Sequence, residues 1–126
     1  MIALRVLIVD DSSVMRKIVH RSLCQAGLEL IEVFEASNGV EALARMQQTR
    51  VDLILSDINM PSMDGLELVR QLQAVENAHG VPIVMITTEA GEAHVVQALS
   101  SGARGYIRKP FTPDQIKDRI IPLLQG

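Results

Sequence analysis

The stretch LILSDINMP, residues 53–61, decides how the rest of the sequence is interpreted. An apolar run typical of a buried strand ends abruptly at Asp57, and Asn59 and Pro61 follow within a few residues. A strand gains nothing from burying a carboxylate in its interior. Asp57 therefore either caps the end of the strand or takes part in chemistry, and the stretch alone is compatible with both.

Short apolar segments alternate with helical patterns on both sides of this stretch. The runs that begin at Leu4, Val51 and Val81 are almost continuously apolar, as expected for parallel strands covered on both faces. The segments that begin at Leu30 and Arg104 include polar residues, which is typical of strands at the edges of a sheet. We predict five strands, over residues 4–9, 30–36, 51–56, 81–87 and 104–109.

Helical periodicity fills the intervals between the strands. In the first interval, Val14 and Ile18 belong to a wide apolar stripe that is expected to pack on the sheet. In the second interval, Val40 and Leu43 share one helical face. The single cysteine, Cys24, excludes an internal disulfide and a cysteine-based metal site, and its helical context predicts a buried, small apolar residue.

Capping residues mark the ends of these helices. Ser12 or Ser13 is expected to begin the first helix. Thr112 and Gln115 have the spacing of a capping box at the start of the last helix. Pro122 is expected to kink or fray the final turn of that helix, because proline removes a backbone donor.

Five βα units in succession predict an α/β fold with a parallel sheet and helices on both of its faces. Short domains of this pattern commonly adopt a doubly wound, flavodoxin-like sandwich with strand order 2-1-3-4-5. We expect that order here, in a single domain over residues 1–126. Ligands of such sheets bind beyond the carboxyl ends of the strands.

The composition argues against several classes of partner. A net charge of -3 disfavours binding to a phosphate backbone, and an aromatic content of 2% leaves no stacking platform for bases, so no nucleic-acid partner is expected. No apolar run approaches membrane-spanning length, and no secretory signal pattern opens the chain. We therefore expect no membrane association and a cytoplasmic location.

Charged and hydroxyl side chains collect at the carboxyl ends of the predicted strands. Asp10 and Asp11 follow the first strand, Asp57 the third, Thr87 ends the fourth and Lys109 the fifth. An isolated aspartate after a strand is often only a helix cap, but three acids placed together repel one another. A hard divalent cation offsets that repulsion, and ligation by oxygen alone suits Mg²⁺.

Four motifs surround these residues: VDDSSVMR after the first strand, SDINMPSMDG after the third, ITTEA after the fourth and GYIRKPF around the fifth. In this order and spacing they resemble bacterial two-component response-regulator receiver domains, from residue 5 to about residue 120. The stand-alone chemotaxis type within that family is similar throughout. The family is itself known for the 2-1-3-4-5 sheet, so the expected strand order is not independent of the resemblance.

The resemblance implies that the protein is not an enzyme but a signalling phosphoacceptor, which promotes its own phosphorylation and dephosphorylation. Asp57 would accept a phosphoryl group from a histidine kinase or a phosphotransfer protein. Asp11 and Asp57 would bind Mg²⁺ directly, with Mn²⁺ as a substitute, and the backbone carbonyl of Asn59 would be a further ligand. Asp10 would hold a metal-bound water.

The resemblance also implies a switch. Lys109 and the Thr87 hydroxyl would contact phosphoryl oxygens, and a cis Lys109–Pro110 bond would aim the lysine side chain into the pocket. On phosphorylation, Thr87 would move toward the phosphoryl group and Tyr106 would move inward behind it. The surface formed by helix 4, strand 5 and helix 5 would then bind a downstream target protein.

Three residues occupy positions that tune turnover in this family. Asn59 and Glu89 flank the expected phosphoryl position, and the pair implies fairly quick self-dephosphorylation. Thr88 departs from the small residue that is usual there, and its bulk is expected to narrow the entrance and slow both phosphorylation and hydrolysis.

Other functions fit less well. A phosphatase of the haloacid dehalogenase type would carry a second acid where this chain has Ser12, and a flavin binder would need a phosphate loop in place of Asp10 and Asp11. A degenerate receiver would lack key residues, which are all present. Two forms of receiver stay open: a stand-alone protein, which the resemblance favours, and the receiver of a larger regulator of the methylesterase or DNA-binding type.

Overall fold

The computed structural model describes residues 3–88 and 92–125, in which strands and helices alternate. The strands are β1 (Ala3–Val9), β2 (Glu29–Ala36), β3 (Leu53–Ser56), β4 (Ile83–Thr87) and β5 (Gly105–Arg108). The helices are α1 (Ser13–Gln25), α2 (Gly39–Gln48), α3 (Gly65–Leu72), α4 (Glu92–Ser101) and α5 (Pro113–Gln125), with a short 3₁₀ helix at Glu76–Ala78. None of the helices in these ranges has the length and apolar character needed to cross a bilayer.

The strands pair in parallel in one sheet with the order β2-β1-β3-β4-β5. The central strand, β3, is buried along its whole length. Its last residue, Ser56, aligns with Val9 of β1 and with Met85 of β4, so neighbouring strands end close to a common edge. The predicted fold class and strand order are confirmed.

The strand boundaries differ slightly from those predicted. β3 and β4 each begin two residues later, at Leu53 and Ile83, and β5 begins one residue later. Pro82 explains the start of β4, because proline has no N–H to donate to a ladder, although its carbonyl accepts from the Ile54 N–H at 3.0 Å.

Aliphatic side chains cover both faces of the sheet. One face packs against α2, α3 and α4, where Met46 and Leu68 are fully buried. The other face packs against α1 and α5, where Leu23 and Ile116 are fully buried. Each such side chain contributes roughly 1.5–3 kcal/mol relative to an exposed one, so a two-sided core holds the edge of the sheet in a fixed shape.

The buried face of α1 is narrower than predicted. Val14 and Ile18 are 65% and 43% exposed, and the helix packs on the sheet through Val19 and Leu23. A helix on one face of a sheet buries a single stripe, and the predicted stripe was too wide. The prediction that Cys24 is buried is also wrong, because it lies on the exposed side.

The buried face of α2 is rotated relative to the predicted one. Val40 is 52% exposed and Leu43 is half-buried, whereas Ala42 and Met46 are fully buried. The long side chain of Met46 fills a core position between α2 and the sheet.

Caps fix the ends of the first and last helices. Ser12 is the N-cap of α1, and its Oγ accepts from the Met15 N–H at 3.2 Å. In α5 the Thr112 N–H donates to Gln115 Oε1 at 2.9 Å and the Gln115 N–H donates to Thr112 Oγ1 at 3.2 Å, which confirms the capping box. α5 continues past Pro122, so its final turn is not frayed.

Candidate functional site

Backbone hydrogen bonds fix the points at which three charged side chains leave the carboxyl edge of the sheet. The N–H groups of Asp10, Asp57 and Lys109 donate to the carbonyls of the last residues of β2, β1 and β4, at 3.1, 2.9 and 2.9 Å. Each charged residue is therefore tied to the strand beside its own. The sheet itself sets the distances between their side chains.

Three carboxylates and one ammonium converge at this edge. Asp10, Asp11 and Asp57 each place one carboxylate oxygen within 4.8 Å of the other two. Lys109 Nζ lies 3.0 Å from Asp10 Oδ2 and 3.4 Å from Asp57 Oδ2. The predicted convergence of these four residues is thus present in the folded chain. We name this group, Asp10, Asp11, Asp57 and Lys109, the acidic cluster.

The three acids differ in how free their oxygens are. Asp10 is buried, with Oδ1 accepting from the Ser12 N–H at 2.9 Å and Oδ2 accepting from Lys109 Nζ. Asp11 is exposed, and Asp57 is intermediate. The oxygens of Asp11 and Asp57 are therefore the more accessible ones to a ligand from solvent.

Burial raises the pKa of the Asp57 carboxyl above its usual range. The Lys109 ammonium opposes this rise in pKa, and the Asp10 carboxylate adds to it. The Ile58 N–H, which donates to Asp57 Oδ1 at 2.8 Å, lowers the pKa. The surroundings of Asp57 therefore stabilise its ionised form less well than water does.

The donor set of the acidic cluster fits a hard divalent cation. All three candidate ligand groups are carboxylates, and oxygen ligands are those that Mg²⁺ prefers. Lys109 supplies one positive charge against three negative ones. The residues present at this edge therefore suit the metal that the motifs imply.

The remaining predicted site residues lie around the acidic cluster. Thr87 ends β4 and is fully buried, while Thr88 and Asn59 are exposed. Tyr106 lies on β5 and is partly buried against the core, with the Arg119 guanidinium 5.3 Å from the centroid of its ring. Glu89 lies outside the described residues.

The Lys109–Pro110 peptide bond is cis, as the resemblance implied.

The fold also brings to the site two residues that were not predicted to belong to it. The first is Arg16, whose Nη1 donates to the carbonyl of Asp10 at 2.6 Å. Its position within VDDSSVMR was the only signal in the sequence.

The second residue is Gly65, which ends the motif SDINMPSMDG and is the first residue of α3. A Cβ at this position would collide with the backbone carbonyl of Asp57 and lie 2.7 Å from Met85 Cε. Close approach of α3 to the segment after β3 therefore requires glycine here. The SMDG part of the motif contains this glycine, but the sequence gives no sign of what it approaches.

The sequence of most of this chain matches a known protein family. Residues 6–121 match the model of the response regulator receiver domain. The chain belongs to this family. The resemblance drawn from the motifs is confirmed, and the acidic cluster lies at the carboxyl ends of the receiver's strands.

Relatives of this receiver include chemotaxis proteins. The chemotaxis protein CheY homolog of Campylobacter jejuni is 42% identical over 122 residues, which are 96% of this chain and 92% of that protein. The solved structure of the chemotaxis response regulator CheY4 of Vibrio cholerae is 37% identical, with a TM-score of 0.83 over 98% of this chain and 99% of that one.

A third relative is the receiver domain of a sensor histidine kinase from Pseudomonas aeruginosa. Its structure was solved with a magnesium ion coordinated in the active site cleft. It is 26% identical and has a TM-score of 0.85, covering 98% of this chain and 99% of that one.

Proposed function

We propose that this receiver accepts a phosphoryl group onto Asp57 from a partner histidine kinase or phosphotransfer protein, in a Mg²⁺-dependent reaction. The observation that carries the proposal is the position of the Asp57 carboxylate. It is 12% exposed and lies 3.4 Å from Lys109 Nζ, within an acidic cluster of three carboxylates. The side chain is therefore held in place at the carboxyl edge of the sheet while part of it still contacts solvent.

The step itself is a nucleophilic displacement at phosphorus. A carboxylate oxygen of Asp57 forms an O–P bond while the N–P bond of a phosphohistidine breaks, and the electron pair stays on the ring nitrogen, which takes a proton from solvent. Catalysis of such a transfer consists mostly of positioning and of compensating the charge on the phosphoryl oxygens. The protein acts as a signalling phosphoacceptor.

Lys109 and Thr87 are the proposed contacts of the phosphoryl oxygens. The Lys109 ammonium lies between Asp10 and Asp57 with 11% of its side chain exposed, so it is a desolvated charge next to the oxygen that reacts. Thr87 ends β4 beside β5, and its neutral hydroxyl can donate to an oxygen without adding charge.

For Mg²⁺, the proposed ligands are the carboxylates of Asp11 and Asp57 and the backbone carbonyl of Asn59, with Asp10 holding a bound water. Mn²⁺ can substitute because it also accepts oxygen ligands. The exposed position of Asp11 and the two occupied oxygens of Asp10 support this division of roles. When bound, the ion compensates negative charge on the phosphoryl group.

The proposed output is a change in the surface formed by α4, β5 and α5. Thr87 would move toward the phosphoryl group and Tyr106 would move inward, which changes the contacts available to a target protein. Tyr106 is only partly buried in this structure, as an inward movement on phosphorylation requires. Val96 and Leu99 on α4 are 55% and 45% exposed and offer apolar contacts to a partner.

Turnover would depend on the residues beside Asp57. Asn59 is exposed and stays our candidate for guiding water, together with Glu89. Thr88 is exposed next to Thr87 and would narrow the approach to Asp57 relative to a smaller residue.

Intact-mass measurement tests the phosphoacceptor. With Mg²⁺ and a small-molecule phosphodonor, the wild type should gain one phosphoryl group, and Asp57→Asn should gain none. Asp64→Asn is the matched control, because Asp64 is the N-cap of α3 and asparagine caps equally well. An adduct that persists in Asp57→Asn would refute the assignment of the phosphoacceptor.

Calorimetric titration tests the metal ligands. Mg²⁺ should bind the wild type and Asp64→Asn equally, and Asp11→Ala should bind it more weakly. Equal affinity of Asp11→Ala and the wild type would rule out the proposed ligand set.

A second form of the same function is that this chain is the receiver of a larger regulator of the methylesterase or DNA-binding type. The relative from Pseudomonas aeruginosa, a receiver domain of a sensor kinase, shows that such domains occur within larger proteins. The full reading frame of the gene distinguishes this form from a stand-alone protein consisting of one receiver domain over residues 1–126.

A further inference from the structure

One arginine links the acidic cluster to β2, the strand at one side of the sheet. Arg16 lies in the first turns of α1, where its N–H donates to the Ser12 carbonyl at 3.0 Å. Its Nη1 donates to the backbone carbonyl of Asp10 at 2.6 Å, and its Nε donates to Glu35 Oε1 at 2.7 Å. Glu35 belongs to β2, so a single side chain joins α1, the end of β1 and the edge strand.

This side chain is well placed to act as a fixed brace. Arg16 is 16% exposed, although Glu35 is 49% exposed. A guanidinium stays charged and presents its donors in a rigid fork, so two bonds from one fork define its position better than two independent contacts would. Glu35 holds one side of the fork and thereby aims the other at the Asp10 carbonyl.

The carbonyl that Arg16 holds is part of the peptide leading to Asp11. The Asp10 N–H already donates to the Ala36 carbonyl at 3.1 Å, so both backbone polar atoms of Asp10 have partners. Because a peptide unit is planar, fixing the Asp10 oxygen also fixes the orientation of the Asp11 N–H and the direction of the chain at Asp11. Asp11 is the exposed acid of the cluster, and no hydrogen bond to its side chain is found within the described residues.

We propose that Arg16, anchored by Glu35, is a positioning residue for divalent-cation binding, since it orients the Asp11 carboxylate through the Asp10–Asp11 peptide. The inference rests on the proposed metal site and adds the interaction that orients the Asp11 carboxylate before the cation binds. Outer contacts that orient metal ligands commonly change metal affinity about 10- to 100-fold. Arg16 acts through the backbone, so we expect the lower end, about 10-fold.

Positioning and simple charge make opposite predictions for this residue. Removal of a positive charge near three carboxylates would strengthen binding of a divalent cation if charge alone mattered. Loss of the brace would instead weaken binding, because the Asp11 carboxylate would have to be ordered when the ion binds. The sign of the change in affinity therefore separates the two effects.

The experiment is a calorimetric titration of the folded protein with Mg²⁺ at fixed ionic strength. Arg16→Met should bind about 10-fold more weakly than the wild type. Arg16→Lys keeps the positive charge but loses the fork of two donors, so it should bind Mg²⁺ nearly as weakly as Arg16→Met. Arg104→Met is the matched control for loss of an arginine charge. Arg104 is exposed and precedes β5, so it lies at the amino ends of the strands, away from the acidic cluster at their carboxyl ends. The Mg²⁺ affinity of Arg104→Met should equal that of the wild type.

Two surface variants test the anchor without touching Arg16. Glu35→Gln loses the charge and keeps an acceptor, whereas Glu35→Ala loses both, so Glu35→Ala should bind Mg²⁺ more weakly than Glu35→Gln. Amide hydrogen exchange at Asp10, whose N–H donates to the Ala36 carbonyl at 3.1 Å, should be faster in Arg16→Met and Glu35→Ala than in the wild type, without added metal. A role in global stability alone would accelerate exchange throughout the core as well.

The outcomes are distinguishable. Mg²⁺ affinity in Arg16→Met that equals or exceeds that of the wild type overturns the inference and leaves the proposed metal site standing. Wild-type affinity in Arg16→Lys would show that the fork of two donors is not needed, and it overturns the inference too. Absence of Mg²⁺ binding by the wild type itself would refute the metal site and this inference together.

Discussion

Replacement of Gly65 by alanine should destabilise the receiver and disturb Asp57. A Cβ at this position would collide with the Asp57 carbonyl and lie 2.9 Å from Ile58 Cα and 2.7 Å from Met85 Cε. The start of α3 cannot simply move away, because the Gly65 N–H donates to the Ile58 carbonyl at 2.7 Å. The added methyl must therefore displace the backbone that carries the proposed phosphoacceptor.

The expected cost follows from overpacking. Extra methyl groups in a packed site cost about 1–3 kcal/mol. Alanine gains up to about 1 kcal/mol over glycine within a helix, but Gly65 is the first residue of α3, where that gain is smaller. At about 2 kcal/mol, and roughly 3–6 °C per kcal/mol for a domain of this size, the fall in Tm would be roughly 6–12 °C.

Gly105→Ala is the matched control. A Cβ at Gly105 would meet no atom within 4 Å, and neither glycine has a positive φ. Alanine there should leave stability unchanged or raise it by up to about 1 kcal/mol. Urea and thermal unfolding of both variants measure the contrast, and the yield of the phosphoryl adduct reports on Asp57. Equal stability of Gly65→Ala and Gly105→Ala would refute the steric argument.

Three further predictions concern the surroundings of the site. Arg119→Ala should increase acrylamide quenching of the fluorescence of Tyr106, the one tyrosine in a chain without tryptophan, because the guanidinium 5.3 Å from its ring would no longer cover it; unchanged quenching would contradict this. The N–H and the hydroxyl of Ser37 lower the pKa of Glu41 below its ordinary 4.5, so this contact stabilises the fold above that pH and is lost as the pH falls through the lowered pKa. Glu41→Gln should therefore lose less stability than the wild type between pH 7 and pH 3 in urea unfolding, and equal losses would count against the contact. Thr88→Ala should speed loss of the phosphoryl adduct in a mass-spectrometric time course, and an unchanged rate would remove Thr88 from the list of turnover residues.

The fold was predictable because its signals are periodic and local. Runs such as that ending at Asp57 are apolar on both faces, which only the central strands of a layered sheet require. Boundaries were less predictable, because they depend on individual hydrogen bonds such as the one accepted by the Pro82 carbonyl.

The faces of the helices were harder to predict than the helices themselves. Val14 and Ile18 have the periodicity of core residues, yet they are exposed because α1 packs on the sheet through Val19 and Leu23. Cys24 is exposed for the same reason. An amphipathic pattern predicts that a helix has an apolar side, but the width of the covered stripe depends on how the neighbouring α5 packs beside it.

The acidic cluster was predictable because topology alone brings strand ends together. The contacts that organise it were not, because they join residues whose separation in sequence carries no pattern. Arg16 and Glu35 are 19 residues apart, and each would pass for an ordinary surface charge. Gly65 could be recognised as a turn residue, but only the folded chain shows that it lies against the Asp57 carbonyl.

Charge balance connects these features. The acidic cluster contains three carboxylates and one ammonium, so two negative charges lack compensation when all groups are ionised. Arg16 does not change this balance, since its charge is offset by Glu35 while its second donor holds a neutral carbonyl. An arginine paired directly with Asp11 would have reduced the uncompensated charge of the cluster from two to one and competed with a cation for its exposed acid. In this receiver the arginine instead holds the backbone at Asp10 in place. The acidic cluster keeps two uncompensated negative charges, which a divalent cation would balance.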